Sequence, residues 1–461
     1  MIQELSGAAS RGASAPRARP TPRRVAAFVA LLSVVPWAPA FASAPPRQAP
    51  QGPDSDRAYV ERIVRALAAD SMRGRDAFTE DGRRTAEFLA REFAAAGLRS
   101  PEGVEGYLQR FSVRTMTPAD ATVRVNGRQL YDSQFAFRPG VPRISWRTGD
   151  VPVIVVGPDD EPFAILNGVA NAGFDALVLV DEAHNEVFRQ FVQQFRRSVR
   201  TLADAVGATV VIALVNAGSD ATYEVSAVAR SVEEPLANVV GTIPGRRSDE
   251  IVLFSAHFDH IGIERPFQGD SIANGANDNA SGTAAVLALA RYYAARGTPE
   301  RTLMFAAFTA EEGGGYGSRY FSRQLDPARI VAMLNIEMIG KPAASGRNSA
   351  WITGFDRSSL GTILQEAARG SEYSFHPDPY PAYDLFYRSD NAALARLGVP
   401  AHSISTTPID VDPDYHRTSD EVETLDFDHL ASIVRAIARG AEPIVAGRAT
   451  PTRIPAEAQG R

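Results

Sequence analysis

Two histidines and a set of carboxylates fall at the ends of apolar runs in the second half of the chain. His257 and Asp259 follow the run 251–256, Glu311 and Glu312 come just after 302–308, and Glu337 closes 330–336. Asp278 lies in the Gly/Asn-rich loop 275–282, which opens a helix, and His416 lies in a polar loop after 401–405. Imidazole nitrogen with carboxylate oxygen, and no sulfur, is a donor set suited to catalytic zinc, which keeps a position open for water. Two such ions side by side are best held by one shared carboxylate, and together they hold the attacking water and polarise a scissile carbonyl. The base that takes the water's proton must be a carboxylate that is not itself a ligand. The adjacent pair Glu311-Glu312 offers that division, because neighbouring side chains point in different directions. Taken singly, each residue has an ordinary role: a strand-end or surface histidine, a solvated acid pair, or an acid at a helix N-terminus. Their recurrence at five successive strand-end or loop positions is what points to one site. The other histidines, His184, His260, His376, His402 and His429, are read as structural or surface residues, His260 because alternation turns it away from His257.

The elements that must position these groups are a series of short apolar runs at 238–243, 251–256, 302–308, 330–336, 350–353 and 401–405. Helical stretches at 282–295, 358–369 and 390–397 lie between them, and 429–446 reads as a closing helix. Apolar strands alternating with helices predict an α/β fold, a mixed, mostly parallel sheet covered by helices on both faces. Ligands of such sheets collect where strands end and loops begin. Upstream, Ala86, Leu89, Ala90, Phe93 and Ala96 recur at helical spacing before Gly97, a C-cap residue, so 56–99 reads as helical. Short Val/Ile-rich runs at 153–156, 176–180 and 209–215 mark 116–234 as a smaller inserted domain. It separates an N-terminal part of the main domain, 56–115, from the bulk at 235–446, and 447–461 reads as a flexible tail.

The 461 residues suffice for two compact domains, and a content of 44% hydrophobic and 22% charged residues is that of a globular protein. A net charge of -6 without any long Lys/Arg run excludes a nucleic-acid stripe. Arg17, Arg19, Arg23 and Arg24 precede the apolar run 25–35 and then Ala40-Phe41-Ala42, the pattern of a secretory signal over 1–42, followed by a disordered linker over 43–55. Pro36 and Pro39 interrupt the run, which is too short to span a bilayer, so the expectation is a protein exported to the periplasm or medium without membrane insertion after signal cleavage. The chain has no cysteine, which removes disulfides, a thiol nucleophile and any thiolate metal site.

The residues resemble a known family in order along the chain. The matching motifs are Asn238-Val239-Val240-Gly241-Thr242-Ile243-Pro244-Gly245, Ser255-Ala256-His257-Phe258-Asp259-His260, Asn277-Asp278-Asn279-Ala280-Ser281-Gly282 and Thr309-Ala310-Glu311-Glu312-Gly313. Asn335-Ile336-Glu337-Met338-Ile339-Gly340, Arg388-Ser389-Asp390 and Tyr415-His416-Arg417-Thr418-Ser419-Asp420 follow, with Asp70-Ser71-Met72-Arg73-Gly74-Arg75 as a supporting match upstream. They are similar to the two-zinc aminopeptidases, a family that also holds glutamate carboxypeptidases, glutaminyl cyclases and transferrin-receptor-like proteins. The resemblance implies two Zn2+ ions and a peptide substrate. His257 and Glu337 would bind one ion, Glu312 and His416 the other, and Asp278 would bridge. It further implies Glu311 as general base, Asp259 orienting His257 through its second ring nitrogen, Tyr415 hydrogen-bonding the oxyanion, and Arg388, Ser389 and Asp390 walling the pocket. Three departures stand out: Glu337 where many members carry Asp, Asn391 in place of a histidine, and the Gly313-Gly314-Gly315 run beside the base, expected to be mobile. The insert occupies the slot where relatives often carry a protease-associated module. Within the same family, carboxypeptidase or dipeptidase action and a non-catalytic receptor-like protein are the alternatives, and a cation near the metals such as Arg388 or Arg417 would favour the former.

Overall fold

The structure is a computed structural model that describes residues 53–267 and 269–455. The signal segment 1–42 and most of the 43–55 linker lie outside the described residues, and the first helix, Pro53–Leu67, already takes up the last linker positions.

At the centre, the strand Arg247–His257 lies between Arg301–Phe308 and Ile330–Ile336 and runs parallel to both, and Ala401–Ser405 is parallel to Ile330–Ile336 on its far side. These runs are apolar almost without interruption, which suits strands covered on both faces. Alternation then divides them between two cores. Val252, Phe254 and Ala256 face a large core shared with the helices Pro53–Leu67, Glu80–Ala95, Gly282–Ala294, Leu360–Ala368 and Phe427–Val445. Ile251 and Leu253 face a smaller core, with Phe321 and Leu394 of the short helices Tyr316–Phe321 and Asn391–Ala395. Each such fully buried Leu or Phe contributes roughly 1.5–3 kcal/mol. Outward from this parallel centre the pairing turns antiparallel, with Tyr223–Ile243 beside Arg301–Phe308 and Ser349–Ile352 beside Ala401–Ser405.

The register of the central strands aligns their ends. Ser255 pairs with Asn335 and His257 with Phe308, so His257, Glu337 and the Glu311-Glu312 turn all leave the sheet at one edge.

Tyr223–Ile243 pairs with Leu108–Val125 from Leu108↔Val239 to Val125↔Tyr223, a ribbon that runs out of the main sheet with a bulge at Pro118/Asp120. Positions 116 and 234, taken from the sequence as the edges of the insert, fall within these strands. The ribbon carries a four-stranded sheet in the order Phe135–Arg138, Val210–Leu214, Ala176–Val180, Val153–Val156. Leu166, Phe188, Phe191 and Phe195 of the helices Pro162–Ala170 and Asn185–Phe195 cover one face of it. Leu177, Leu179, Val211 and Ala213 on the other face pack on Met116, Val123 and Val225 of the ribbon.

Residues 447–455 correct the expectation of a flexible tail from 447 onward. Ile454 is buried with Ile330 and Val399, Arg453 donates to the carbonyls of Pro327 and Ile330, and Arg301 reaches the Ala449 carbonyl and Thr450. Polar composition concealed one apolar anchor and a set of carbonyls facing guanidinium groups. Among the described residues no helix is long and apolar enough to cross a membrane.

Candidate metal centre

His257 ends its strand and is almost fully buried. Its Nε2 lies 3.2 Å from Glu337 Oε1 and 3.4 Å from Asp278 Oδ1. The other oxygen of Asp278, Oδ2, lies 3.2 Å from His416 Nε2, which is also 3.2 Å from Glu312 Oε2. Two histidines from distant parts of the chain thus meet across one carboxylate, each with a further carboxylate beside it. Donor atoms around a tetrahedral zinc, at bond lengths of about 2.0–2.1 Å, stand roughly 3.3 Å apart. In both sets the histidine nitrogen stands at that spacing from each carboxylate, and the donors are nitrogen and oxygen only, so the residues fit zinc.

The free oxygens of the outer carboxylates are also held. Ser389 donates to Glu337 Oε2 at 2.7 Å and accepts from Asn335. His260 Nδ1 lies 3.0 Å from Glu312 Oε1. His260 is buried beside the centre, its ring edge-on to that of His416 at 5.9 Å, so it does not turn away as alternation predicted. The chain leaves extended geometry at the strand end after His257, and strand alternation ceases to apply there.

The loop presenting Asp278 is built from backbone hydrogen bonds. Asp420 accepts from the amides of Asn277 and Asp278, and the Asp278-Asn279 peptide is cis. Asn277 Oδ1 accepts from the Gly340 amide and Asn279 Oδ1 from that of Met338, tying the loop to the strand end that carries Glu337. Gly275 has φ +56°, and a Cβ there would lie 2.5 Å from the His260 ring, so only glycine lets that ring pack over the loop. Beneath the centre, the fully buried Arg75 guanidinium donates to the carbonyls of Leu67, Phe258, Asn274 and Gly275. Lys341 reaches Asp412 and Asp414 and so anchors the loop that carries Tyr415 and His416 to the strand end of Glu337.

The electrostatics follow from packing many carboxylates into a water-poor site. Burial works against charge on His257, but Glu337 and Asp278 hold its imidazole well above its usual range, and the same two effects lift His416 to about 10 through Asp278 and Glu312. Burial opposes the ionised form of Asp278, yet His257 and His416 hold its carboxyl far below the ordinary range. The field that draws protons onto two imidazoles is one that favours divalent cations. Glu311 behaves oppositely: burial, reinforced by Asp390 and Glu337 against the opposing pull of His257, pushes its carboxyl well up.

A cavity of about 280 Å³ opens over these groups. Glu311, Tyr415, Arg388 and Ser389 line it together with all five residues expected as ligands, and Met338, Trp351, Leu385 and Ile409 form an apolar wall. Asp390 departs from the expected pocket position. It is buried behind the cavity, where burial raises its carboxyl to about 6. Asp259 departs in manner. His257 Nδ1 meets the Asp259 backbone carbonyl at 3.2 Å, while its carboxylate, 3.8 Å from that nitrogen, accepts from the amides of Glu311 and Glu312. The carboxylate therefore shapes the turn bearing Glu311. Asn391 is a buried brace, donating to the Phe386 carbonyl and accepting from Ser403. Gly313–Gly315 form a turn in which the amides of Gly314 and Gly315 both donate to the Glu311 carbonyl. Sequence reasoning missed Arg75, His260, Lys341 and Asp420. All four sit inside or directly beside the motifs, and only their contacts reveal what they do.

A parallel-centred α/β sheet with nitrogen and oxygen donors gathered at its strand ends has the form of a metal-dependent hydrolase centre. The sequence of that part agrees: residues 238–441, which hold the centre, match the model of peptidase family M28. A probable leucine aminopeptidase of Trichophyton verrucosum (strain HKI 0517) is 34% identical over 205 residues, 42% of this chain and 53% of that protein. Leucine aminopeptidase 1 of Trichophyton rubrum is 29% identical over 210 residues, 43% of this chain and 56% of the other. The chain spans about half the length of these curated relatives. Among solved structures, BSAP, a zinc aminopeptidase from Bacillus subtilis, shares the fold with a TM-score of 0.50 at 16% identity, over 86% of this chain and 96% of that one.

Proposed function

We propose that the protein is an exported zinc-dependent aminopeptidase that hydrolyses the N-terminal bond of peptides and holds two zinc ions. The observation that carries this reading is Asp278, whose two oxygens face two separate His/Glu pairs. His257, Asp278 and Glu337 would hold one ion and His416, Asp278 and Glu312 the other. When bound, zinc supplies Lewis acidity, activating water and polarising the scissile carbonyl. Glu311 takes the proton of the attacking water and hands it to the leaving amine. Tyr415 lines the cavity with a phenol that burial, with Asp278 and Glu312 nearby, keeps protonated, and it donates to the developing oxyanion. The apolar wall of the cavity suits an uncharged first side chain, and relatives that match the same segment are named leucine aminopeptidases; Arg388 on the same lining is the cation that carboxypeptidase action would use. The basic and apolar stretches before Ala42 support export.

Three versions of one apolar peptide test the reading: free at both ends, amino-acetylated and carboxyl-amidated. The free and amidated peptides should lose their first residue, and the acetylated one should resist. A chelator should abolish turnover and zinc restore it. Cleavage of the acetylated peptide with resistance of the amidated one would transfer the protein to the carboxypeptidases.

A further inference from the structure

The two outer carboxylates of the centre are handled alike, and the likeness assigns a task to a residue outside the ligand set. Glu337 turns Oε1 to His257, and Ser389 holds its Oε2 at 2.7 Å. Glu312 turns Oε2 to His416, and His260 holds its Oε1 at 3.0 Å through Nδ1. A carboxylate with one oxygen fixed by a donor cannot swing to chelate through both, so the remaining oxygen faces the cation in one orientation. Carboxylate oxygens only accept, hence Nδ1 of His260 carries the proton. Its Nε2 is buried without a hydrogen-bond partner, so nothing on that side of the ring competes for the tautomer.

His260 could instead be a ligand itself, because it also forms a group with Asp278 and Glu312. The contacts decide against it. His416 Nε2 is 3.2 Å from both Asp278 and Glu312, whereas among the described residues His260 pairs at 3.0 Å with Glu312 and makes no ion pair with Asp278. That contact uses the oxygen of Glu312 directed away from His416.

We infer that His260 is a positioning residue that selects which oxygen of Glu312 faces the second cation, as Ser389 does for Glu337. This rests on the reading of Glu312 and His416 as ligands. Outer hydrogen bonds of this kind are commonly worth 10–100-fold in metal affinity.

Asparagine and glutamine at position 260 separate the position of the donor from polarity. Asparagine places an amide N–H where Nδ1 is, and glutamine places it near Nε2, away from Glu312. Zinc titration of the chelator-stripped proteins, with melting curves as a check on folding, reads the two ions directly. His260→Asn should bind both ions within a few-fold of wild type, and His260→Gln should bind one normally and the other 10–100-fold more weakly. Equal affinities for all three proteins overturn the inference, and so does loss of one ion in both variants while His416→Ala keeps two, which would make His260 the ligand. Wild type that binds no zinc refutes the reading of the ligands instead. Nitrogen NMR of the zinc-loaded wild type with labelled histidine serves if the variants do not fold: it should show His260 protonated at Nδ1, and a proton on Nε2 alone overturns the inference.

Discussion

Replacing Arg75 with methionine removes a side chain that joins three segments under the centre. The guanidinium is 0% exposed and meets the carbonyls of Phe258 at 2.7 Å, Leu67 at 2.8 Å, Asn274 at 2.5 Å and Gly275 at 2.8 Å. A buried cation is expensive, and burial lowers Arg75 to about 10 despite the carboxylates of Asp420 and Asp259 nearby. Exchanging a buried ion pair for apolar groups can be neutral, but only when both partners go. Here the four carbonyls stay. Each hydrogen bond to a charged group contributes roughly 1.5–3 kcal/mol, and each orphaned carbonyl costs about 1–3 kcal/mol. These contributions are not additive, and counting one bond for each of the three tethered segments gives a loss of about 4.5–9 kcal/mol. Set against a total stability of about 5–15 kcal/mol, that leaves a marginal protein. Lysine, a compact ammonium on a flexible stem, cannot span the fork, and Arg75→Lys should lose about 1–3 kcal/mol. Urea unfolding with chelator present measures both, and zinc titration reads the loops that carry Asp259 and Asp278. An Arg75→Met protein within about 1 kcal/mol of wild type, still binding zinc normally, would show that the guanidinium does not hold these segments.

Glu311→Gln should lower kcat by about 10²–10⁴ with zinc content unchanged, since the amide keeps the shape but not the basicity; an unaltered kcat removes Glu311 from the mechanism. Lys341→Met cuts the tie to Asp412 and Asp414, buried or half-buried on the loop bearing His416. It should weaken one zinc about 10-fold and leave the other unchanged, as read by titration. His402 donates from Nδ1 to the Thr353 carbonyl and accepts from Ser358, and burial lowers it to about 4. The unfolded chain, titrating near 6.5, binds the extra proton first. Stability is therefore complete above about pH 6.5 and falls as the pH drops towards 4, by at most roughly 3 kcal/mol. His402→Asn should be less acid-sensitive than wild type in urea unfolding at pH 7 and 5, and identical pH slopes refute the assignment.

The central strands were legible because burial on both faces demands uninterrupted apolar runs, and 330–336 and 401–405 match to the residue. The ribbon was not. Leu108–Val125 mixes polar and apolar residues along its length, and its pairing with Tyr223–Ile243, from Val125↔Tyr223 to Leu108↔Val239, joins positions too far apart for any local pattern to connect. The residues of the centre were legible for a related reason. Acids and histidines at the ends of apolar strands stand out, while a supporting arginine such as Arg75 resembles any other until its partners are known.

Residue types and their order along the chain were enough for the donor set, the α/β class and the absence of thiolate chemistry, because each depends on local composition or on strand period. Which oxygen of each carboxylate faces which histidine depends on contacts across the fold, such as those of Ser389, His260 and Asp420. The same holds for Asp259, whose carboxylate serves the Glu311 turn while its carbonyl meets His257. Such contacts join residues tens to hundreds of positions apart, so they exist only once the sheet has set its register and brought the strand ends to one edge.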